Sequence, residues 1–104
     1  MVYSLNPVLL EALVLAVIDS GDAYGYVIAQ RLKVLASQKE SALYPVLKRL
    51  QLAGFLTTYD QAFQGRNRRY YRITEEGRKQ LAFYRQEWQA FKAMTDSIFD
   101  GGEQ

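Results

Sequence analysis

The sequence contains no cysteine and no histidine. Without cysteine there is no disulfide or thiol chemistry, and the two absences together exclude zinc sites of the Cys/His kind and every histidine-based triad. Nor does the chain offer a glycine-rich phosphate loop, a nucleophile paired with a base, or a metal-binding cluster, which leaves an enzyme the least supported class of function. Glu75 and Glu76 are neighbours on a helix and point apart, so they make a poor acid–base pair. No apolar run is long enough to span a bilayer; the longest, Val8 to Ile18, is interrupted by Glu11. That segment also lacks the basic polar face of an interfacial membrane anchor. No basic region precedes it as in a secretory signal, so the chain is expected to stay in the cytoplasm. No cofactor is expected.

What is present is a small domain with segregated charge. At 104 residues a single core is near its comfortable lower size, and self-association would help burial. The net charge of +2 says little, but its distribution says more. Lys39 to Arg72 holds seven basic residues against Glu40 and Asp60, leaving the remainder at −3. A patch of that sign is the electrostatic footprint of a phosphate binder.

Asn6 and Pro7 look like a helix cap followed by proline at the first helical position, where its missing N–H is not needed. Val8 to Ile18 is almost entirely apolar, so this helix is expected to be buried on more than one side, either within the domain or partly against a second subunit. Asp19 to Asp22 ends it. A second helix is expected from Ala23 to Ala36, with Val27, Ile28, Leu32 and Leu35 inward, and with Gly25 in its first turn allowing close backbone approach. Tyr24 and Tyr26 fit either the core rim or a DNA backbone.

Ser37 and Glu40 match the S-x-x-E capping box at the start of a third helix, from about Lys39 to Ala53, which Gly54 can close. Leu43, Val46, Leu47 and Leu50 give it a buried face. Its opposite face carries Glu40, Ser41, Tyr44, Pro45 and Lys48, and Pro45 is expected to bend it. A strand from Phe55 to Asp60, a basic turn over Gly65 to Arg69 and a strand from Arg69 to Thr74 then form a two-stranded wing. Thr74 opens a last helix reaching about Phe99, with Glu75 and Glu76 favourably placed against its dipole. Leu81, Tyr84, Trp88, Phe91, Thr95 and Ile98 recur on it at spacings of three and four, a heptad seam too long for so small a domain to bury, and a second copy of the chain is its natural partner. Trp88 and Phe91 either pack that interface or leave a flat apolar gap for a planar molecule.

The order of LYPVLKRL, the GFL after it, GRNRRYYRIT and EEGRKQL, with Tyr24-Gly25-Tyr26 upstream, resembles the PadR family of bacterial transcriptional regulators over roughly residues 5 to 99. The resemblance implies a mainly α fold with a small β-hairpin: a winged helix-turn-helix DNA-binding domain over residues 1–74, then a dimerisation helix and short tail over 75–104. It also implies a repressor that leaves its operator when a ligand binds. In drug-sensing members a tryptophan at the position matching Trp88 lies in a gap between subunits. The ligand slot expected here comprises Tyr84, Trp88 and Phe91, for a planar aromatic or cationic hydrophobic compound. The partners are thus double-stranded operator DNA, a second copy of the chain and a small planar ligand.

Gln38, Lys39, Ser41, Tyr44 and Lys48 are the expected groove contacts, since Gln can bond adenine and Lys can reach guanine or phosphate. Arg66, Arg68 and Arg69 are expected along the backbone or in the minor groove, with Tyr24 beside them. The competing class is a winged-helix protein-interaction module whose basic wing meets an acidic partner without any operator.

Overall fold

The computed structural model describes residues 3–35 and 40–101. Helix α1, Pro7–Asp19, begins as its sequence dictates: the backbone of Asn6 is extended, and its side-chain oxygen accepts from the Leu9 N–H at 2.8 Å. Val14, Leu15, Val17 and Ile18 of this helix are buried.

The next segment departs from expectation. Ala23–Tyr24 is a short strand, β1, and helix α2 covers only Gly25–Leu32. Ala23 pairs with Tyr71 and Tyr24 with Tyr70, so the edge of the hairpin takes the first two residues out of the helix and satisfies their backbone groups by pairing. Leu35, expected inward, lies beyond the helix and is 43% exposed. Ser37, Gln38 and Lys39 fall outside the described residues, so the capping box and two of the groove contacts do too.

Helix α3, Glu40–Leu52, runs without a break through Pro45. The carbonyl deprived of its usual donor belongs to Ser41, an exposed residue, where water can substitute. The helix closes at Gly54, whose φ is +86°. The Phe55 N–H donates to the Leu50 carbonyl and the Gly54 N–H to that of Gln51, both at 3.0 Å, the paired bonds of a Schellman cap.

Strands β2, Leu56–Phe63, and β3, Arg66–Ile73, are antiparallel and longer than the sequence implied. Only Gln64 and Gly65 connect them, with φ of +51° and +78°. Positive φ at both central residues is the twist-matching hairpin geometry. The arginines expected in a loop therefore sit on strand β3. With β1 added, the sheet order is β1-β3-β2.

Helix α4, Glu75–Phe99, starts at Thr74, which ties it to the base of the wing. The Thr74 hydroxyl accepts from the Gly77 N–H at 3.0 Å and donates to the Gly54 carbonyl at 2.7 Å, while the Thr74 N–H donates to the Phe55 carbonyl at 3.0 Å. One core unites these elements: Leu15, Ile18, Ile28, Leu43, Leu47, Leu50 and Leu56 are the largest side chains sealed in it, with Ile73 and Leu81 alongside. Leu81, expected at the intersubunit seam, is 2% exposed and belongs to the chain's own interior, because the first turns of α4 pack on α1. Glu11 reinforces that packing by accepting from Arg49 Nε of α3 at 2.5 Å and from the Tyr84 hydroxyl of α4 at 3.3 Å. Among the described residues no helix is long and apolar enough to cross a membrane.

Candidate nucleic-acid interface

The sheet sorts the wing residues onto two faces. Because side chains alternate and opposed residues share a face, Arg66, Arg68, Tyr70 and Arg72 stand with Phe63, Gln61, Tyr59 and Thr57. Asn67, Arg69, Tyr71 and Ile73 take the other face, of which Tyr71 and Ile73 are buried.

The outer face is an interleaved ladder of cations and rings. Tyr59 stacks on Tyr70 with centroids 5.5 Å apart, and Tyr24 meets Tyr70 edge-on at 5.3 Å. The Arg68 guanidinium lies 4.4 Å from the Tyr24 centroid and 4.0 Å from that of Phe63, and that of Arg72 lies 4.8 Å from Tyr59. Such contacts are worth about 0.5–1 kcal/mol each at exposed sites. Asp22 closes the ladder at one end, accepting from the Tyr59 hydroxyl at 2.8 Å and from Arg72 Nε at 3.1 Å. The bond to Asp22 holds the Tyr59 phenol above its ordinary range.

The three wing arginines thus differ. Arg66, beside the turn, is exposed and has no ion-pair partner among the described residues. Arg68 is half-buried between two rings. Arg69 is on the opposite face, 3.7 Å from Asp60 across the strand pair. Between this hairpin and α3 opens a cleft of about 440 Å³, where Glu40 and Tyr44 face Asn67, Arg68 and Arg69, with Gly25 and Tyr71 at its floor. Ser41, Tyr44 and Lys48 are exposed on α3 as expected. The Tyr44 hydroxyl donates to Glu40 Oε2 at 2.6 Å. That bond, with some burial and the charge of Glu40, pushes the phenol up to about 12. Burial likewise raises Tyr71.

Sequence reasoning placed Glu40 on the exposed face of α3 without its bond to Tyr44, and left out Asp22 and the rings of Tyr59, Tyr70 and Phe63. The signal for the rings was present in the alternation of RNRRYYR, but it becomes readable only once Gln64-Gly65 fixes the register.

A second feature lies away from the cleft. Trp88 and Phe91 are neighbours on α4, with centroids 6.1 Å apart and planes inclined by 37°. They are 45% and 59% exposed. Trp88 and Tyr84 line two adjoining apolar grooves between α1 and α4, of about 380 and 470 Å³, the first floored by Leu9, Leu13 and Leu81 and the second bounded by Val8 and Phe91. The aromatic residues expected at a ligand slot are therefore together, and α1 of the same chain contributes one wall.

Residues 14–83 match the Transcriptional regulator PadR-like family. Among solved structures, a crystal structure of a Streptococcus mutans protein is similar over 100% of this chain and 98% of its own, with 45% identity and a TM-score of 0.92. A PadR family transcription regulator from Clostridium difficile is similar at 28% identity over 86% of this chain and 97% of its own, TM-score 0.80. Bacillus subtilis PadR, solved in complex with operator DNA, matches 72% of this chain and 45% of its own at 28% identity and a TM-score of 0.66. With a matched segment that runs from the core of α1 through the wing into α4, the chain belongs to the PadR-like family of transcriptional regulators.

Proposed function

We propose that the chain binds operator DNA as a homodimer and represses transcription until a planar aromatic or cationic hydrophobic ligand occupies the groove beside Trp88. The observation that carries the DNA-binding part is the surface around the cleft. Arg66 projects from the tip of a rigid hairpin and Lys48 from the exposed face of α3, and neither cation has an ion-pair partner among the described residues. Phosphate contacts of this kind provide affinity, while the exposed face of α3 provides choice of sequence. The operator complex of the Bacillus subtilis relative supports the same assignment.

The dimer is supported by the far half of α4, where Phe91, Met94, Ile98 and Phe99 are 59 to 77% exposed. A second copy covering them would also roof the grooves at Trp88. Release then follows from linkage: a ligand that prefers a wing spacing unsuited to the operator lowers DNA affinity by the same factor by which DNA lowers its own. A gel-shift titration with duplex from upstream of the chain's own gene tests the first part, and binding weakened by salt is expected. Quenching of the single tryptophan by planar cationic dyes tests the second. Binding only to an acidic protein, with no retardation of any duplex, would instead favour a protein-interaction module.

A further inference from the structure

The Tyr44 hydroxyl has committed its only hydrogen inside the protein, to Glu40 Oε2 at 2.6 Å. The two residues are one helical turn apart, so α3 holds them in register. Gly25 leaves room for the carboxylate where it stands: a Cβ at that position would lie 3.1 Å from the same oxygen. Tyr44 nonetheless remains 48% exposed at the mouth of the cleft.

What this pair can offer a partner follows from the inventory of donors and acceptors. An ionised carboxylate only accepts, and a phenol whose hydrogen is already engaged only accepts. Phosphate oxygens accept as well, so the pair cannot bond them, and its negative charge repels them. In the major groove the donors are the amino groups of adenine N6 and cytosine N4. Arg68 and Arg69 face the pair across the cleft, but Arg68 is held over the rings of Tyr24 and Phe63 and Arg69 lies beside Asp60. The cations better placed for phosphate are Lys48, one turn further along α3, and Arg66 at the wing tip.

We infer that Glu40 and Tyr44 together are a specificity-determining unit that reads an exocyclic amino group, of adenine or cytosine, at one operator position. The inference rests on the DNA-binding reading above and adds to it the chemistry of one recognised base.

The test is a binding panel on the full-length protein, using upstream duplex in which each position is replaced in turn by the other bases and by analogues lacking the amino group. Wild type should lose roughly ten-fold or more at one position when the amine is removed. In Glu40→Gln the amide can donate to the Tyr44 oxygen, freeing the phenol hydrogen to point outward. The preference at that position should then turn toward the keto bases, thymine or guanine. Tyr44→Phe should blunt the preference without reversing it, and Gly25→Ala, which displaces the carboxylate, should blunt it too. None of the three should change the salt dependence, since no phosphate contact is lost. Variants that keep the wild-type base profile while binding all duplexes more weakly would overturn the inference and assign the pair a purely structural role. A wild-type protein with no salt-sensitive attraction to duplex fails earlier, at the DNA-binding reading, and takes the inference with it.

Discussion

Gly77 is a residue on which the placement of the last helix turns. An added Cβ would lie 2.2 Å from the Phe55 carbonyl oxygen and 2.7 Å from Ile73 Cγ1. The first of these is backbone and is already held by the Thr74 N–H at 3.0 Å, so it cannot retreat without breaking the junction between wing and helix. Gly77→Ala should gain about 1 kcal/mol of helix propensity. Overpacking of roughly 1–3 kcal/mol or more opposes that gain, and net destabilisation is expected. A thermal melt lowered by several degrees would register it, and a melt equal to or above wild type would show the contact to be soft.

Tyr44 makes a second prediction at this scale. Its phenol is raised from 10.0 to about 12 by the bond to Glu40, so the neutral form is the one the fold favours. Stability from this group is complete below the unfolded value and disappears as pH climbs through the folded one. Between pH 10 and 12 wild type should lose stability that Tyr44→Phe does not lose. Paired denaturant titrations at those two pH values test it; equal losses in both proteins would mean that the bond does not persist in solution.

At the scale of elements, the helices were largely legible because their signals are local. The Asn6 and Pro7 pair, the Gly54 stop, the Thr74 cap and the inward leucines of α3 all depend on neighbours within a few residues. The wing was legible in outline and misread in detail. GRNRR reads as a basic loop because Gln64 is not a usual residue for positive φ, yet it adopts +51° and lets the strands extend to the turn. The extra strand at Ala23–Tyr24 was invisible for a related reason: its partner lies nearly fifty residues away, and helix-forming neighbours masked it. Within the candidate site, the exposed face of α3 was foreseen, whereas the ring stack around Arg68 follows from cross-strand register.

That register separates two substitutions that sequence alone treats as equivalent. Arg66→Ala removes an exposed cation and should lower the log–log salt slope of DNA binding by about 0.9 while leaving the melt unchanged. Arg68→Ala removes a guanidinium held by Tyr24 and Phe63 and should also destabilise the fold by ~1 kcal/mol. Parallel salt titrations and melts distinguish them. If both variants melt as wild type, the stack contributes nothing.

At the scale of the molecule, the shape follows from one long helix leaving a small domain. The chain measures 63 × 30 × 20 Å. Helix α4 has 25 residues, about 37 Å at the usual rise. Leu81 is its last buried side chain among the described residues. Tyr84 and Trp88 are still partly covered by α1, and beyond them Phe91, Met94, Ile98 and Phe99 are 59 to 77% exposed. Trp88 is a poor place to test dimerisation, because it also contacts the groove against α1. Phe91 and Ile98, at 59% and 77% exposure, are better, since they are less covered by their own chain than Trp88 at 45%. The double variant Phe91→Glu, Ile98→Glu should therefore keep the wild-type helical content yet sediment as a monomer where wild type sediments as a dimer. Two half-sites bound by one dimer gain the advantage of bivalency, roughly 10²–10⁴-fold, and the monomer should lose that factor on an intact operator while binding a half-site as wild type does. A variant that stays dimeric would move the interface off this seam. A monomer that holds the full operator undiminished would show that one wing and one recognition helix suffice.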